Sequence, residues 1–361
     1  MSLSARSARG WDAGLLASGA ALVLMSGVAM ASAAAKVNPA LAVRHDVWIA
    51  VGVLLSFGTA RTNYRRWVDL AMLAYGLSLA TLALVLAAGA VRLGATRWLS
   101  LFGLSVQPSE FAKLTTTWIL ARYLAGQPTP LPTRVVLTSL LLVAPAALLI
   151  FIQPDLGSAT IFFAIWLGMA WVAGMSRRGL AAVAVAVLVL GPIGWHVLKD
   201  YQRDRLMAFI DPHADPLGAG YTIIQSTIAI GSGRVWGRGW FAGTQNQLSF
   251  LPERHSDFIF SVIGEEWGWL GCLAVVAAFG WLLLRILRIA MTASVPQGRL
   301  LATGLFSWIA YQALVNMGMV MGLLPVVGVP LPFISYGGSS MVMLWVALGL
   351  VQSVHRMDNV G

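Results

Sequence analysis

Long apolar runs alternate with short polar stretches along almost the whole chain. A helix that crosses a bilayer needs about 20 mostly apolar residues, and the pattern predicts ten such helices. Their approximate bounds are 13–34, 44–60, 67–90, 109–125, 133–152, 158–175, 179–199, 257–284, 299–324 and 336–355. We therefore predict an all-α polytopic integral membrane protein that forms a single membrane domain over residues 1–361.

The composition agrees with this class and narrows the chemistry. Hydrophobic residues make up 58% of the chain and the mean hydropathy is +0.78, which excludes an ordinary soluble domain. The single cysteine, Cys272, excludes an intrachain disulfide and a cysteine metal site. No His-x-x-x-His pattern is present either, so we predict no metal ligands from the protein.

Basic residues are unevenly divided between the two sets of connecting segments. When the N-terminus is placed in the cytoplasm, most of them fall on inside segments. The short outside loops then hold only Lys36, Arg44, Arg92 and Arg97. Short segments rich in Lys and Arg stay in the cytoplasm, so we expect both termini there and the loop at about 200–256 outside. This bias accounts for the net charge of +10 without a nucleic acid partner.

The long outside loop is expected to have structure of its own, because unstructured loops of this length are uncommon. Residues 201–210 predict an amphipathic helix at the membrane surface, 223–230 predict a second helix, and 211–220 predict turns. The glycine-rich segment 231–239, with Arg234 and Arg238, has the composition of a phosphate cradle. It lacks the Gly-Lys-Ser/Thr ending of a nucleotide loop, so a flexible turn is the favoured interpretation.

Ionisable residues are concentrated at 251–260, just before a long apolar run. Glu253, Arg254, His255 and Asp257 lie within five residues in a chain that is only 11% charged. Charges at the mouth of a membrane helix are costly, which makes this cluster a functional-site hypothesis. The alternative is a helix start with Ser256 as N-cap and Asp257 in the first turn, near the positive end of the helix dipole.

Other polar residues border predicted spans. Glu110 and Lys113 are three residues apart on one helix face, and Asp155 is a further acid with which a buried Lys113 could pair. Structural pairing and a polar functional cavity both remain open. In an outside loop, Trp98 could stack on a sugar while Arg97 contacts phosphate, or Trp98 could be an interface anchor.

The last outside loop, 323–340, carries three prolines and no charge. Such a segment enters a bilayer only where protein or a cavity satisfies its backbone. Two interpretations follow, a wall against a lipid substrate and a structural plug.

Residues 316–340, which include Ser335, resemble the signature of the SEDS proteins (shape, elongation, division and sporulation). The motifs at 97–98, 107–113 and 153–157 are also similar to those of the family. Segment 250–255 resembles its elongation branch, because Arg254 stands where the division branch typically has alanine. Ser256, where threonine is usual, and Arg234, where glycine is common, depart from the pattern.

The resemblance implies a peptidoglycan glycosyltransferase in the bacterial cytoplasmic membrane, which polymerises lipid II on the outer side during cell elongation. It implies as partners a class B penicillin-binding protein, other elongation-complex membrane proteins and membrane lipid. Asp257 matches the catalytic acid, Trp98 matches a position important for activity, and Lys113 with Asp155 matches a polar cavity. The remaining substrate-binding or cavity residues in this hypothesis are Arg97, Glu110, Glu253, His255, Ser256 and Ser335.

The implied reaction joins a sugar 4-hydroxyl to the donor's anomeric carbon in a β-1,4 linkage and releases undecaprenyl pyrophosphate. We assign Asp257 as the general base. Arg97, Lys113, the loop arginines or a divalent cation (Mg²⁺ or Mn²⁺) held by the substrate phosphates would neutralise the leaving group. A lipid II flippase and a non-catalytic scaffold of the elongation machinery are the alternatives.

Overall fold

The computed structural model describes residues 10–88, 90–92, 95–101 and 104–357. Within them the chain forms fourteen helices and three short strands. In chain order these are α1 Ala13–Ala34, α2 Ala40–Arg61, α3 Tyr64–Asp69, α4 Ala71–Ala88, β1 Ala90–Arg92, β2 Ala95–Leu101, β3 Leu104–Val106, α5 Pro108–Leu124, α6 Thr133–Ile152, α7 Leu156–Val172, α8 Arg177–Val197, α9 Asp200–Ile210, α10 Tyr221–Ser232, α11 Thr244–Gln247, α12 Ile259–Thr292, α13 Pro296–Val320 and α14 Gly338–Met357.

Nine of the ten predicted spans each overlap one helix, and the span at 67–90 covers the end of α3 and all of α4. The all-α polytopic fold class is confirmed. Among the described residues, seven helices are long and apolar enough to cross a membrane, and α4 and α7 are shorter apolar helices. The predicted surface helix at 201–210 is α9, and the predicted helix at 223–230 lies within α10.

The sequence did not predict the small sheet between α4 and α5. Strands β1, β2 and β3 pair in that order, antiparallel throughout. Two of them are only three residues long, which is too short for an alternating pattern to be recognised. As a result Arg97 and Trp98 lie on β2 rather than in an irregular loop.

The core of the bundle is built around α13 and α14. Helix α13 packs against α5, α7 and α12, and α14 packs along α2. Most residues of α5, α13 and α14 are buried, and α5 carries polar side chains into this core, whereas no residue of α8 is buried. The polar part of α5 is therefore enclosed by protein, while α8 is a peripheral helix.

Helix α12 is interrupted at Gly268, and the glycine-rich turn fills the interruption. The backbone of Gly268 has φ 67°. Four hydrogen bonds join the turn to the residues on either side: Arg238 N to Glu265 O and Gly239 N to Glu266 O (3.0 Å each), Trp269 N to Arg234 O (2.8 Å) and Leu270 N to Val235 O (3.2 Å). Backbone groups that a helix break would leave unpaired are thus satisfied.

These bonds decide between the two interpretations of segment 231–239. The N–H groups of Arg238 and Gly239 donate to protein carbonyls, as does that of Gly237, and are not available to cradle a phosphate. The turn also packs tightly against α12, because a Cβ at Gly237 would lie 2.1 Å from Glu266 O. The glycines serve close packing of two backbones.

We expect Gly268→Ala to lower the free energy of unfolding. A side chain at positive φ costs about 1–2 kcal/mol, and the added Cβ would lie 2.3 Å from Gly237 N. Gly280→Ala, in the same helix with no atom within 4 Å of the new Cβ, is the matched control and should not destabilise. Thermal unfolding in detergent measures both, and equal midpoints would contradict the account of the interruption.

Candidate active site

The ionisable cluster forms a tight turn immediately before α12. Glu253 has φ 47°, and its carbonyl accepts hydrogen bonds from the N–H groups of Ser256, Asp257 and Phe258 at 3.1, 3.1 and 3.3 Å. Helix α12 begins at Ile259 without a side-chain cap. The capping interpretation is therefore wrong for Ser256, whose hydroxyl donates to the Glu253 carboxylate (3.2 Å), and Asp257 precedes the first helical turn.

The α13–α14 loop, residues 321–337, which was predicted at 323–340, holds this turn in place together with the end of α13. Three hydrogen bonds link them to the turn: Ser335 Oγ to Ser256 O (2.5 Å), Tyr336 N to His255 O (2.9 Å) and Asn316 Nδ2 to Asp257 O (2.8 Å). Asn316 lies near the end of α13, just before the loop. Because all three acceptors are backbone carbonyls, the Asp257 side chain stays available for other contacts.

Side chains from neighbouring helices donate hydrogen bonds to backbone carbonyls of this loop. Gln312 donates to Pro330 O (2.9 Å), Asn316 to Val329 O (2.7 Å) and Ser26 to Ile334 O (2.9 Å). Protein thus supplies the partners that irregular backbone needs at membrane depth. Gly328 faces the carboxylate, since a Cβ there would lie 3.4 Å from Asp257 Oδ2. The loop forms one side of the site.

Asp257 is half-buried, and its surroundings disfavour the ionised form. Burial raises its pKa from 3.8 to about 6, and the negative charges of Glu253 and Asp155 act in the same direction. The positive charge of Arg205 opposes the increase. A carboxylate with this pKa is mostly ionised at neutral pH yet more basic than an ordinary aspartate, which suits a general base.

Asp155 lies beside the site and is held by two partners. It caps α7 by accepting from Ser158 N (3.2 Å), and its carboxylate is 3.8 Å from Arg97 Nη1. Arg97 also donates to the carbonyls of Gln153 (3.2 Å) and Pro154. The proposed pairing of Asp155 with Lys113 is therefore not found, because Arg97 takes that place.

Lys113 pairs instead with Glu110, as their spacing predicted. Its ammonium lies 2.7 Å from Glu110 Oε2, 3.3 Å from Gln312 Oε1 and 5.0 Å from the centre of the Trp308 ring. Lys113 and Glu110 are 1% and 2% exposed. The pair is thus buried on α5 where it packs against α13, and Gln312 links it to the α13–α14 loop.

His255 belongs to the cluster, whereas no contact joins Trp98 to it among the described residues. Burial lowers the pKa of His255, which leaves the ring neutral at neutral pH. Its Nε2 lies 3.9 Å from Glu253 Oε2, and its buried Nδ1 has no hydrogen-bond partner among the described residues. Trp98 is partly buried on β2, and strand residues alternate between faces, so it points away from its neighbour Arg97.

Sequence reasoning did not single out three residues that build the site: Gln312 and Asn316 were not proposed as site residues, and Arg205 was included only as one of the loop arginines. Gln312 and Asn316 are four apart on α13, so two amides on one face of an apolar helix were a usable signal. Arg205 belongs to the predicted surface helix, but nothing local indicates that it faces Asp257. That proximity depends on how α9 packs.

Comparison with known proteins agrees with these features. The sequence model of the FtsW/RodA/SpoVE cell cycle proteins matches residues 12–360. Peptidoglycan glycosyltransferase MrdB of Escherichia coli K12 is 43% identical over 308 residues, which is 85% of this chain and 83% of that protein.

Two solved structures share the fold along nearly the full length. One is a chain of a peptidoglycan synthase complex described as coordinating polymerization and crosslinking, with a TM-score of 0.85, 37% identity, and 98% and 99% of the two chains covered. The other is the rod shape determining protein RodA of Thermus thermophilus, with a TM-score of 0.74, 32% identity and the same coverage. The resemblance drawn from the motifs is confirmed, and the chain belongs to the SEDS family of FtsW, RodA and SpoVE.

Proposed function

We propose that this protein is a peptidoglycan glycosyltransferase that polymerises lipid II, with Asp257 as the general base. The observation that carries the assignment of the base is the half-buried carboxylate of Asp257, whose pKa is raised to about 6. The enzyme class is supported by family membership and by the 43% identical peptidoglycan glycosyltransferase MrdB.

The reaction is a displacement at the anomeric carbon of the lipid-linked donor sugar. The acceptor's 4-hydroxyl oxygen forms the new bond to that carbon while the carbon–oxygen bond to the diphosphate breaks. The hydroxyl proton moves to Asp257, and the electron pair of the broken bond leaves with undecaprenyl diphosphate. A positioned base contributes about 10²–10⁴-fold to such a step.

We propose that the site faces the outside and that the enzyme works with a class B penicillin-binding protein during elongation. The similar chain that belongs to a complex for polymerization and crosslinking supports the partner, and the distribution of Lys and Arg supports the orientation. We also propose that a divalent cation enters with the substrate diphosphate. Its support is chemical: the leaving diphosphate gathers negative charge, and Mg²⁺ in proteins is often held largely by substrate phosphates.

The decisive experiment incubates the purified protein with labelled lipid II, with and without the partner and with and without a chelator. Glycan ladders on a gel demonstrate polymerisation. A flippase would move lipid II across proteoliposomes without producing ladders, and a scaffold would do neither. Loss of ladders on chelation and their return with Mg²⁺ or Mn²⁺ would support the cation.

Glu253→Gln should move the acidic limb of the pH profile of kcat/KM to lower pH. The negative charge of Glu253 raises the pKa of Asp257, so its removal lowers that pKa and keeps the base ionised in more acidic solution. The polymerisation rate measured from pH 5 to pH 8 tests this. An unchanged limb would mean that another group titrates.

A further inference from the structure

The cations that the sequence offered for the leaving diphosphate are largely committed to other partners. Arg97 is bound to two backbone carbonyls and to Asp155, and Lys113 is enclosed with Glu110 and Gln312. If Arg97 turned fully toward a new anion, the buried carboxylate of Asp155 would lose its cation. If Lys113 did so, the buried carboxylate of Glu110 would lose its cation. A cation that binds the diphosphate should therefore lie beside Asp257 and have no buried carboxylate as its partner.

Arg205 on α9 is such a cation. Its side chain is exposed, and its guanidinium carbon lies 5.8 Å from the centre of the Tyr201 ring. The Tyr201 hydroxyl donates to Pro154 O (2.8 Å), which fastens α9 to the segment that carries Asp155. Arg205 is thus presented on a helix that is anchored to the site.

Arg205 and Asp257 approach one point beside the α13–α14 loop. A Cβ placed on Gly328 would lie 3.7 Å from Arg205 Nη1 and 3.4 Å from Asp257 Oδ2. Yet no hydrogen bond or ion pair joins these two described side chains. Because residue 328 is glycine, no side chain from this position lies between the guanidinium and the carboxylate.

We propose that Arg205 binds the diphosphate of the donor lipid and stabilises the charge that develops on it as the sugar leaves. This inference rests on the proposed function. The donor's anomeric carbon is bonded directly to its diphosphate, whereas the acceptor's hydroxyl is two sugars away from any phosphate. A cation close to the base therefore serves the donor.

The chemistry of arginine suits this task. The diphosphate diester carries two negative charges in the donor and gains a third when the carbon–oxygen bond breaks. A planar guanidinium can bind two phosphate oxygens at once and remains charged at every relevant pH. Interactions that strengthen as the charge develops lower the barrier rather than only tightening substrate binding.

The test compares Arg205→Gln and Arg205→Lys with the matched control Arg203→Gln. Arg203 lies on the same helix but donates to the carbonyls of Trp195 and His196, and it is 3.6 Å from Asp200. Two measurements are made on purified protein: the rate of lipid II polymerisation, and the binding of undecaprenyl diphosphate against undecaprenyl monophosphate.

We expect Arg205→Gln to lower kcat by about 10²–10³-fold, the loss typical of removing one donor to a developing anion. It should also remove the preference for the diphosphate over the monophosphate. Arg205→Lys should retain part of the wild-type kcat and part of the preference for the diphosphate. Arg203→Gln should change neither kcat nor that preference.

A second role for Arg205 makes a different prediction. Of the charged groups that act on Asp257, Glu253 and Asp155 raise its pKa, and Arg205 lowers it. If Arg205 only tuned the base, Arg205→Gln would shift the acidic limb to higher pH, regain the full rate in alkaline solution and bind diphosphate as wild type does. That result would overturn the inference, whereas the proposed function would stand as long as the wild-type protein formed glycan ladders. If the wild-type protein bound diphosphate through Arg205 but formed no ladders, the proposed function would be overturned instead.

Discussion

Asp257→Asn is expected to remove glycan ladders, with kcat/KM lower by about 10²–10⁴-fold. Asparagine keeps the size of the side chain but cannot accept the proton of the acceptor hydroxyl. The turn around it should persist, because the carbonyls of residues 255–257 and the N–H groups of 256–258 make its hydrogen bonds. The measurement is the initial rate of lipid II consumption by purified variant and wild type at pH 7.

Asp200→Asn is the matched control, since it makes the same chemical change on a side chain that is 97% exposed on α9. It should retain the wild-type rate. Binding of lipid II to the Asp257→Asn variant separates loss of chemistry from loss of substrate. An Asp257→Asn variant that still polymerised lipid II at the wild-type rate would exclude the general-base role. If the variant moved lipid II across a bilayer at the wild-type rate, and the wild-type protein formed no ladders, a flippase would be favoured.

Lys113→Ala is expected to produce the largest loss of stability, about 3–5 kcal/mol. It leaves the carboxylate of Glu110, which is 2% exposed, without its cation inside the bundle. The same substitution removes a hydrogen bond to Gln312, which supports the α13–α14 loop by donating to Pro330 O. Unfolding in detergent, followed by temperature or denaturant, should show the loss directly.

The double variant Glu110→Gln with Lys113→Met is the informative comparison. It removes both charges and keeps a similar side-chain volume, so most of the stability should return, because the cost of a broken buried pair is that of the unpaired charge. If the single and double variants have the same unfolding midpoint, Lys113 does not stabilise the protein through the buried ion pair.

The membrane helices could be predicted from the sequence because their signal is local. Each span is a run of apolar residues long enough to cross a bilayer, and all ten runs are largely helical, with the run at 67–90 divided between α3 and α4. The Glu110–Lys113 pair was equally accessible, since residues three apart on a helix share a face.

Other features were hidden because no local pattern encodes them. The apolar pattern of α12 continues through Gly268, and a glycine there is compatible with an unbroken helix. The interruption exists because a turn some 30 residues earlier supplies four backbone hydrogen bonds. The three-residue strands β1 and β3 were likewise too short to leave a pattern.

The sequence by itself determined the class, the spans and, through its motifs, the family and Asp257 as the candidate base. Only the tertiary structure decided what surrounds that carboxylate. The N-cap of α7, helix α9 and the α13–α14 loop bring residues 155, 205 and 328 to it. Burial of Asp257 and the charges of Asp155 and Arg205 contribute to its pKa, because desolvation and Coulomb interactions depend on distance in space and not on separation along the chain.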